Sequence, residues 1–133
     1  MSKSIAVKDY MSASLVTFTP EMDVMNAIDI LVKNRISGAP VVDERGNLIG
    51  LLSEKDCMKV AVQAGYHEQL GGRVDDYMTK QVITVEADAS VLEVAKLFME
   101  KGPRRYPVVE DNRLVGQISR RDVLRSLLGM NTH

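Results

Sequence analysis

The chain has 133 residues and a mass of 14.8 kDa, with 45% hydrophobic and 26% charged residues, the scale of one ordinary soluble domain or two very small ones sharing a core. Seventeen Lys and Arg stand against 18 Asp and Glu, a net charge of -1, so the basic excess of a general nucleic-acid binder is missing and nucleic acid is not an expected partner. The composition also excludes a disordered chain, and a lone cysteine, Cys57, excludes an internal disulfide.

No run approaches the ~18 apolar residues of a membrane span. Lys3, Lys8 and Asp9 interrupt any signal-peptide core, so a cytoplasmic location is expected. His67, His133 and Cys57 make no Cys/His metal constellation, and no metal is required.

In chain order, Val7-Lys8-Asp9-Tyr10-Met11-Ser12 leads into Leu15-Val16-Thr17-Phe18, a short β-branched run read as a strand. Val24, Ala27, Ile28 and Leu31 follow the i, i+3, i+4, i+7 spacing of a helix with one buried face, and Asp23 stands where it can cap that helix. Ala39-Pro40-Val41-Val42 and Leu48-Ile49-Gly50-Leu51-Leu52 flank a polar turn containing Gly46, the pattern of a β-hairpin. A closing helix begins after Ser53. The stretch from Ala64 to Arg73, with three glycines, reads as a connection in which His67 is solvated.

The second half repeats the first. Val74-Asp75-Asp76-Tyr77-Met78-Thr79 stands 67 residues after the opening motif, and Val82-Ile83-Thr84-Val85 is again a short strand. Val91, Val94, Ala95 and Phe98 repeat the helical stripe, with Ser90 and Glu93 expected to form a capping box. A second hairpin runs from Tyr106 to Ile118, and a closing helix follows Ser119. After a one-residue deletion in the second turn, Gly50, Ser53 and Asp56 coincide with Gly116, Ser119 and Asp122.

Each copy alone has too little core to stand well. The expected fold class is therefore α/β (α+β), with two β-α-β-β-α repeats at 7–63 and 74–129, joined by 64–73 and packed by pseudo-twofold symmetry into one module.

The chemistry concentrates in Gly50-Leu51-Leu52-Ser53-Glu54-Lys55-Asp56 and its echo Gly116-Gln117-Ile118-Ser119-Arg120-Arg121-Asp122. A strand entering a helix this way sets free N–H groups and the positive end of the helix dipole beside a hydroxyl and a carboxylate. Phosphate suits the first pair of features, and a vicinal diol suits the carboxylate. A plain capping box accounts for the same spacing, and duplication does not separate the two readings.

At these residues the chain resembles a tandem cystathionine-beta-synthase (CBS) domain pair, or Bateman module. The resemblance runs from Val7 to about Leu128 and rests on Asp-Tyr-Met-Ser/Thr, on Asn34-Arg35-Ile36-Ser37-Gly38-Ala39-Pro40-Val41-Val42-Asp43, and on Gly-x-x-Ser-x-x-Asp in both copies. It implies a regulatory module with two clefts between repeats. The implied ligands contain adenosine: AMP, ADP, ATP, S-adenosylmethionine or NAD.

Carried over, one cleft joins Ser53 and Asp56 to Val82, Ile83, Arg104 and Arg105, and the other joins Ser119 and Asp122 to Leu15, Val16, Ser37 and Gly38. Asp56 and Asp122 are expected to hold ribose hydroxyls, and Ser53 and Ser119 to meet phosphate. Backbone near Val16 and Ile83 reads adenine. Arg104 and Arg105 are expected to bind phosphate in either cleft, with Arg121 adding charge. The sites are expected to be unequal, because the first copy has Ser37-Gly38 where the second has the two arginines.

Two histidines and one cysteine assemble no nucleophile, base and orienter, so an enzyme is not expected. Cys57 near a helix start is either a thiolate site or a buried inert thiol. The eight methionines read as core filler or as an adaptable surface. The expected function is a stand-alone nucleotide sensor acting on an unknown regulated protein; the alternative is a ligand-free scaffold. A homodimer is expected in either case, through Met58, Val62, Leu124 and Leu128.

Overall fold

A computed structural model describes residues 5–67 and 71–131. Its elements are a 3-10 turn (Val7–Asp9), α1 (Val24–Asn34), β1 (Gly38–Val42), β2 (Leu48–Ser53), α2 (Glu54–His67), α3 (Val74–Tyr77), β3 (Val85–Glu86), α4 (Val91–Glu100), β4 (Arg105–Glu110), β5 (Arg113–Ser119) and α5 (Arg120–Asn131). No helix among the described residues is long and apolar enough to cross a membrane.

The chain divides into two compact units, one continuous and one assembled from both ends of the chain. One is Val16–Val82; the other combines Met1–Leu15 with Ile83–His133. In the Val16–Val82 unit, β1 and β2 form an antiparallel hairpin with Ala39 opposite Leu52 and Pro40 opposite Leu51. Its core is Phe18, Val24, Ala27, Leu31, Val41, Leu52, Val60, Val74 and Tyr77 among others. In the discontinuous unit, β3 pairs parallel with β4, and β4 pairs antiparallel with β5. Its core is Val85, Val91, Val94, Phe98, Tyr106, Val108, Ile118 and Val123, together with Val7 from the start of the chain.

The opening motif of each repeat has therefore changed sides. Met78 and Thr79 lead into the second repeat, yet Thr79 exchanges two 2.9 Å backbone hydrogen bonds with Leu51 of β2. Ser12 does the same with Gln117 of β5, at 2.8 and 2.9 Å. Val7 and Val74 are fully buried in the units these segments join. The periodic sequence shows two equal motifs but not which hairpin edge each one covers.

The helices follow the sequence pattern. Met25 N–H donates to Asp23 Oδ1 at 3.0 Å, the cap expected for α1, and Val24, Ala27 and Leu31 are its buried face. Arg35 closes α1 in the left-handed region (φ 54°), and Ile36 N–H reaches back to Leu31 O. Leu92 N–H donates to Ser90 Oγ at 3.1 Å, while the Glu93 half of the expected box is not formed. The second hairpin turns through Asp111 (φ 50°) and Asn112 (φ 67°), both left-handed, as a two-residue primed turn requires.

Two expected strands shrink. Leu15–Phe18 contributes one parallel bridge, from Phe18 to Val41, and Val82–Val85 contributes Val85 with Glu86. A β-branched run becomes strand only where a neighbour offers a ladder, and here only the last residue of each run reaches one. Helix α2 continues through Gly65 to His67, into the stretch read as connection. Residues 68–70, the His67 side chain and His133 lie outside the described residues.

Candidate functional site

Both Ser-x-x-Asp motifs sit where a hairpin strand runs directly into a helix. At the start of α2, Asp56 Oδ2 accepts from Ser53 N–H and from Ser53 Oγ–H, both at 2.9 Å, and Asp56 N–H donates to Ser53 Oγ at 3.1 Å. Asp56 Oδ1 accepts from the Thr79 hydroxyl at 3.1 Å, and Lys59 Nζ lies 3.8 Å away. Asp56 is only 6% exposed. This carboxylate is enclosed and well supplied with donors.

The start of α5 is similar in plan and more open. Asp122 Oδ2 accepts from Ser119 N–H at 2.8 Å, and Asp122 N–H donates to Ser119 Oγ at 3.2 Å. Asp122 Oδ1 pairs with Arg125 Nη2 at 3.0 Å, with the Asp122 side chain 17% exposed. Arg125 also donates to Tyr10 O at 3.0 Å and lies 5.6 Å from the centre of the Tyr10 ring. A carboxylate has about four lone-pair sites, so Asp122 retains acceptor capacity for a further donor. The reciprocal capping geometry is real in both copies, and at Asp122 it coexists with an accessible edge.

Thr79, Lys59 and Arg125 were not singled out from sequence. The repeat carried a signal for them: Thr79 is the last residue of the motif that opens with Val74, and Lys59 and Arg125 occupy equivalent positions three residues past their aspartates.

The expected site residues separate as follows. Val16, Ser37, Gly38, Ser53, Asp56 and Val82 belong to one unit; Leu15, Ile83, Arg104, Arg105, Ser119, Arg121 and Asp122 belong to the other. Each pre-proline segment also meets the closing helix or the second hairpin strand of its own repeat. Gly38 pairs with Ser53, and Glu54 N–H donates to Ser37 O at 2.8 Å. Arg105 pairs with Ser119, and Arg120 N–H donates to Arg104 O at 3.2 Å. Each pre-proline turn therefore lies beside the closing helix of its own repeat.

Arg104, Arg105, Ser119, Arg120 and Arg121 line an open groove of about 920 Å³ together with Leu124, Arg125, Leu127 and Leu128. At the other helix start, burial first, then the carboxylates of Asp56 and Glu54, push the Cys57 thiol up from its ordinary range. Cys57 is buried, which makes it the inert alternative rather than a thiolate site.

A family model for the CBS domain matches residues 7–63 and again 74–129. The chain belongs to the CBS-domain family. The CBS-pair protein CBSX2 of Arabidopsis thaliana, solved in complex with AMP, superposes with a TM-score of 0.82 at 30% identity, covering 96% of this chain and 98% of that one. The CBS domain pair of MJ0100, in complex with 5′-methylthioadenosine and S-adenosyl-L-methionine, superposes with a TM-score of 0.73 at 31% identity, with coverage of 96% and 98%. The Methanocaldococcus jannaschii protein MJ1225 is 30% identical over 121 residues, 91% of this chain. The chain spans 42% of that relative's length.

Proposed function

We propose that this CBS pair is a regulatory module that binds an adenosine nucleotide, with its principal site at the start of α5. The observation that carries the reading is Asp122: a capped, partly exposed carboxylate at a helix N-terminus, next to Ser119 and an arginine-lined groove. Asp122 takes the ribose diol, Ser119 and the free N–H groups of α5 meet phosphate, and Leu15 and Ile83 pack adenine. Arg104, Arg105 and Arg121 balance phosphate charge. Asp56, Ser53, Ser37, Gly38, Val16 and Val82 form the corresponding site at α2, where the enclosed aspartate favours weaker binding. AMP on CBSX2 and the two adenosine derivatives on MJ0100 support this ligand class.

The role is regulatory rather than catalytic. Bound nucleotide shifts a conformational or association equilibrium by its difference in affinity for the two states, and a separate protein reads the shift. Calorimetry on ligand-stripped protein tests this with AMP, ADP, ATP and S-adenosylmethionine. At about 100 times its Kd, a ligand stabilises by ~2.7 kcal/mol, which also reads as a rise in melting temperature. Binding that is weakened more than about tenfold in Asp122→Ala agrees with a lost charge-assisted hydrogen bond. Unchanged affinity in that variant rejects the ribose assignment.

Self-association is proposed on a separate observation. Met58 and Val62, one turn apart on α2, are each 60% exposed, and Leu124 and Leu128, one turn apart on α5, are 63% and 68% exposed, an apolar stripe on each helix that a partner would cover. Sedimentation should give twice the 14.8 kDa chain mass. A species of single-chain mass at micromolar concentration removes the homodimer and leaves these faces for another protein.

A further inference from the structure

The two helix starts differ in charge far more than in shape. Arg104, Arg105, Arg120 and Arg121 occupy the places that Ser37, Gly38, Glu54 and Lys55 hold in the first repeat, as the pairs Arg105–Ser119 and Gly38–Ser53 show. Four positive charges at one site thus face a net of none at the other. Among the described residues, none of these four arginines has a carboxylate within ion-pair distance, whereas Arg125 is paired with Asp122. All four line the one groove.

Clustered guanidinia without counter-charge repel one another, and an anion relieves that repulsion. The number of guanidinia bears on which anion. A single phosphate carries a charge of about -2 at neutral pH, which two guanidinia neutralise. Four arginines lining one groove carry about twice that charge. They match a chain of phosphates, each adding charge and acceptor oxygens further from the helix start. A sulfonium in the same place meets like charge.

We infer that the α5 site selects ligands with a chain of two or more phosphates over AMP and S-adenosylmethionine, and that the α2 site lacks this preference. The adenosine half of such a ligand rests on the function proposed above; the phosphate half does not.

The test is calorimetry on the ligand-stripped full chain in EDTA, with AMP, ADP, ATP and inorganic tripolyphosphate as separate probes. ATP is expected to bind about tenfold or more tighter than AMP, the yield of one added charge-assisted contact. Tripolyphosphate is expected to bind at about one per chain, to compete with ATP, and to weaken with salt. Arg104→Ser combined with Arg120→Glu, which installs the residues of the α2 site, should bring the ATP-to-AMP affinity ratio close to one and abolish tripolyphosphate binding. If the double variant fails to fold, Arg121→Gln alone, at an exposed position, should lower the same ratio.

AMP, ADP and ATP binding equally while Asp122→Ala weakens all three would overturn the polyphosphate inference and leave the adenosine site standing. Tripolyphosphate binding that depends on the arginines, without any adenosine ligand binding, would do the reverse. No binding by any probe overturns both.

Discussion

Gly116 lies directly beneath Met11: a Cβ on Gly116 would stand 2.6 Å from Met11 Sδ and 2.7 Å from the Ser12 carbonyl oxygen. A Cβ on Gly50 would stand the same 2.6 Å from Met78 Sδ and 3.0 Å from Thr79 O. The glycine of each Gly-x-x-Ser-x-x-Asp motif is thus a packing requirement set by the Tyr-Met-Ser/Thr motif that lies across it.

Gly116→Ala should therefore cost about 1–3 kcal/mol, because the Ser12 backbone cannot yield as a side-chain end can. Gly65→Ala is the control. Nothing lies within 4 Å of its added Cβ, and it sits in α2, so it should be neutral or gain up to ~1 kcal/mol. Urea denaturation of the two variants measures both. Equal destabilisation by the two substitutions would reject the packing account.

The exchange of opening segments makes the second repeat depend on the first residues of the chain. Val7 is fully buried among Val85, Val91 and Val108, so Val7→Ala should cost about 1–3 kcal/mol. Hydrogen exchange locates the loss: protection should fall in β4 and β5 rather than in β1 and β2. Loss confined to the first hairpin is the contrary result.

The two aspartates should differ in stability as well as in binding. Asp56 is buried and accepts from Ser53 and Thr79, whereas Asp122 is partly exposed and accepts from Ser119 and Arg125. Removing a cap of this kind costs about 0.5–2 kcal/mol, and more where buried donors are orphaned. Asp56→Ala should accordingly shift the thermal midpoint further than Asp122→Ala, and differential scanning calorimetry compares them.

Cys57 should be unreactive in the native state. Its thiol is buried, and burial, Asp56 and Glu54 all raise its pKa, so little thiolate exists at neutral pH. Modification by a disulfide reagent should proceed only through unfolding, with a rate that rises in urea. Rapid stoichiometric labelling in buffer at pH 7 would contradict this.

Asp43 holds the first hairpin turn by accepting from Arg45 N–H and Asn47 N–H, each at 2.9 Å. Its pKa is lowered, chiefly by the Asn47 backbone hydrogen bond. A lowered folded-state pKa means that the ionised form stabilises the fold above the unfolded-state value and that this is lost as pH falls through the folded-state value. The urea midpoint of the parent chain should thus fall more steeply below about pH 4 than that of Asp43→Ala. Parallel profiles would show that the turn bonds do not depend on the charge.

Much of this was legible in the residues. The stripes Val24-Ala27-Leu31 and Val91-Val94-Phe98 are buried as their spacing requires, Asp23 and Ser90 cap, and both hairpins fall where polar turns separate apolar runs. The β-branched runs Leu15–Phe18 and Val82–Val85 are strand only at their last residues, because β propensity does not create a partner strand. Glu93 failed to complete its box, since a capping spacing permits the return bond without enforcing it. The charge asymmetry of the two helix starts was present in Arg104, Arg105, Arg120 and Arg121, but the grouping of those arginines with Ser119 was not.

By itself the sequence determined local structure and repetition: which residues make helices, where hairpins turn, and that one motif occurs twice. Those depend on neighbours a few residues apart, and periodicity and turn chemistry report them. The tertiary structure alone decided that Val7 and Val74 each complete the core of the other repeat, that Thr79 bonds Asp56 while Arg125 bonds Asp122, and that four arginines share a groove. Two near-identical segments satisfy either hairpin edge equally well on paper. Only the path of the connected chain, and the fit of Met11 over Gly116 and Met78 over Gly50, selects between them.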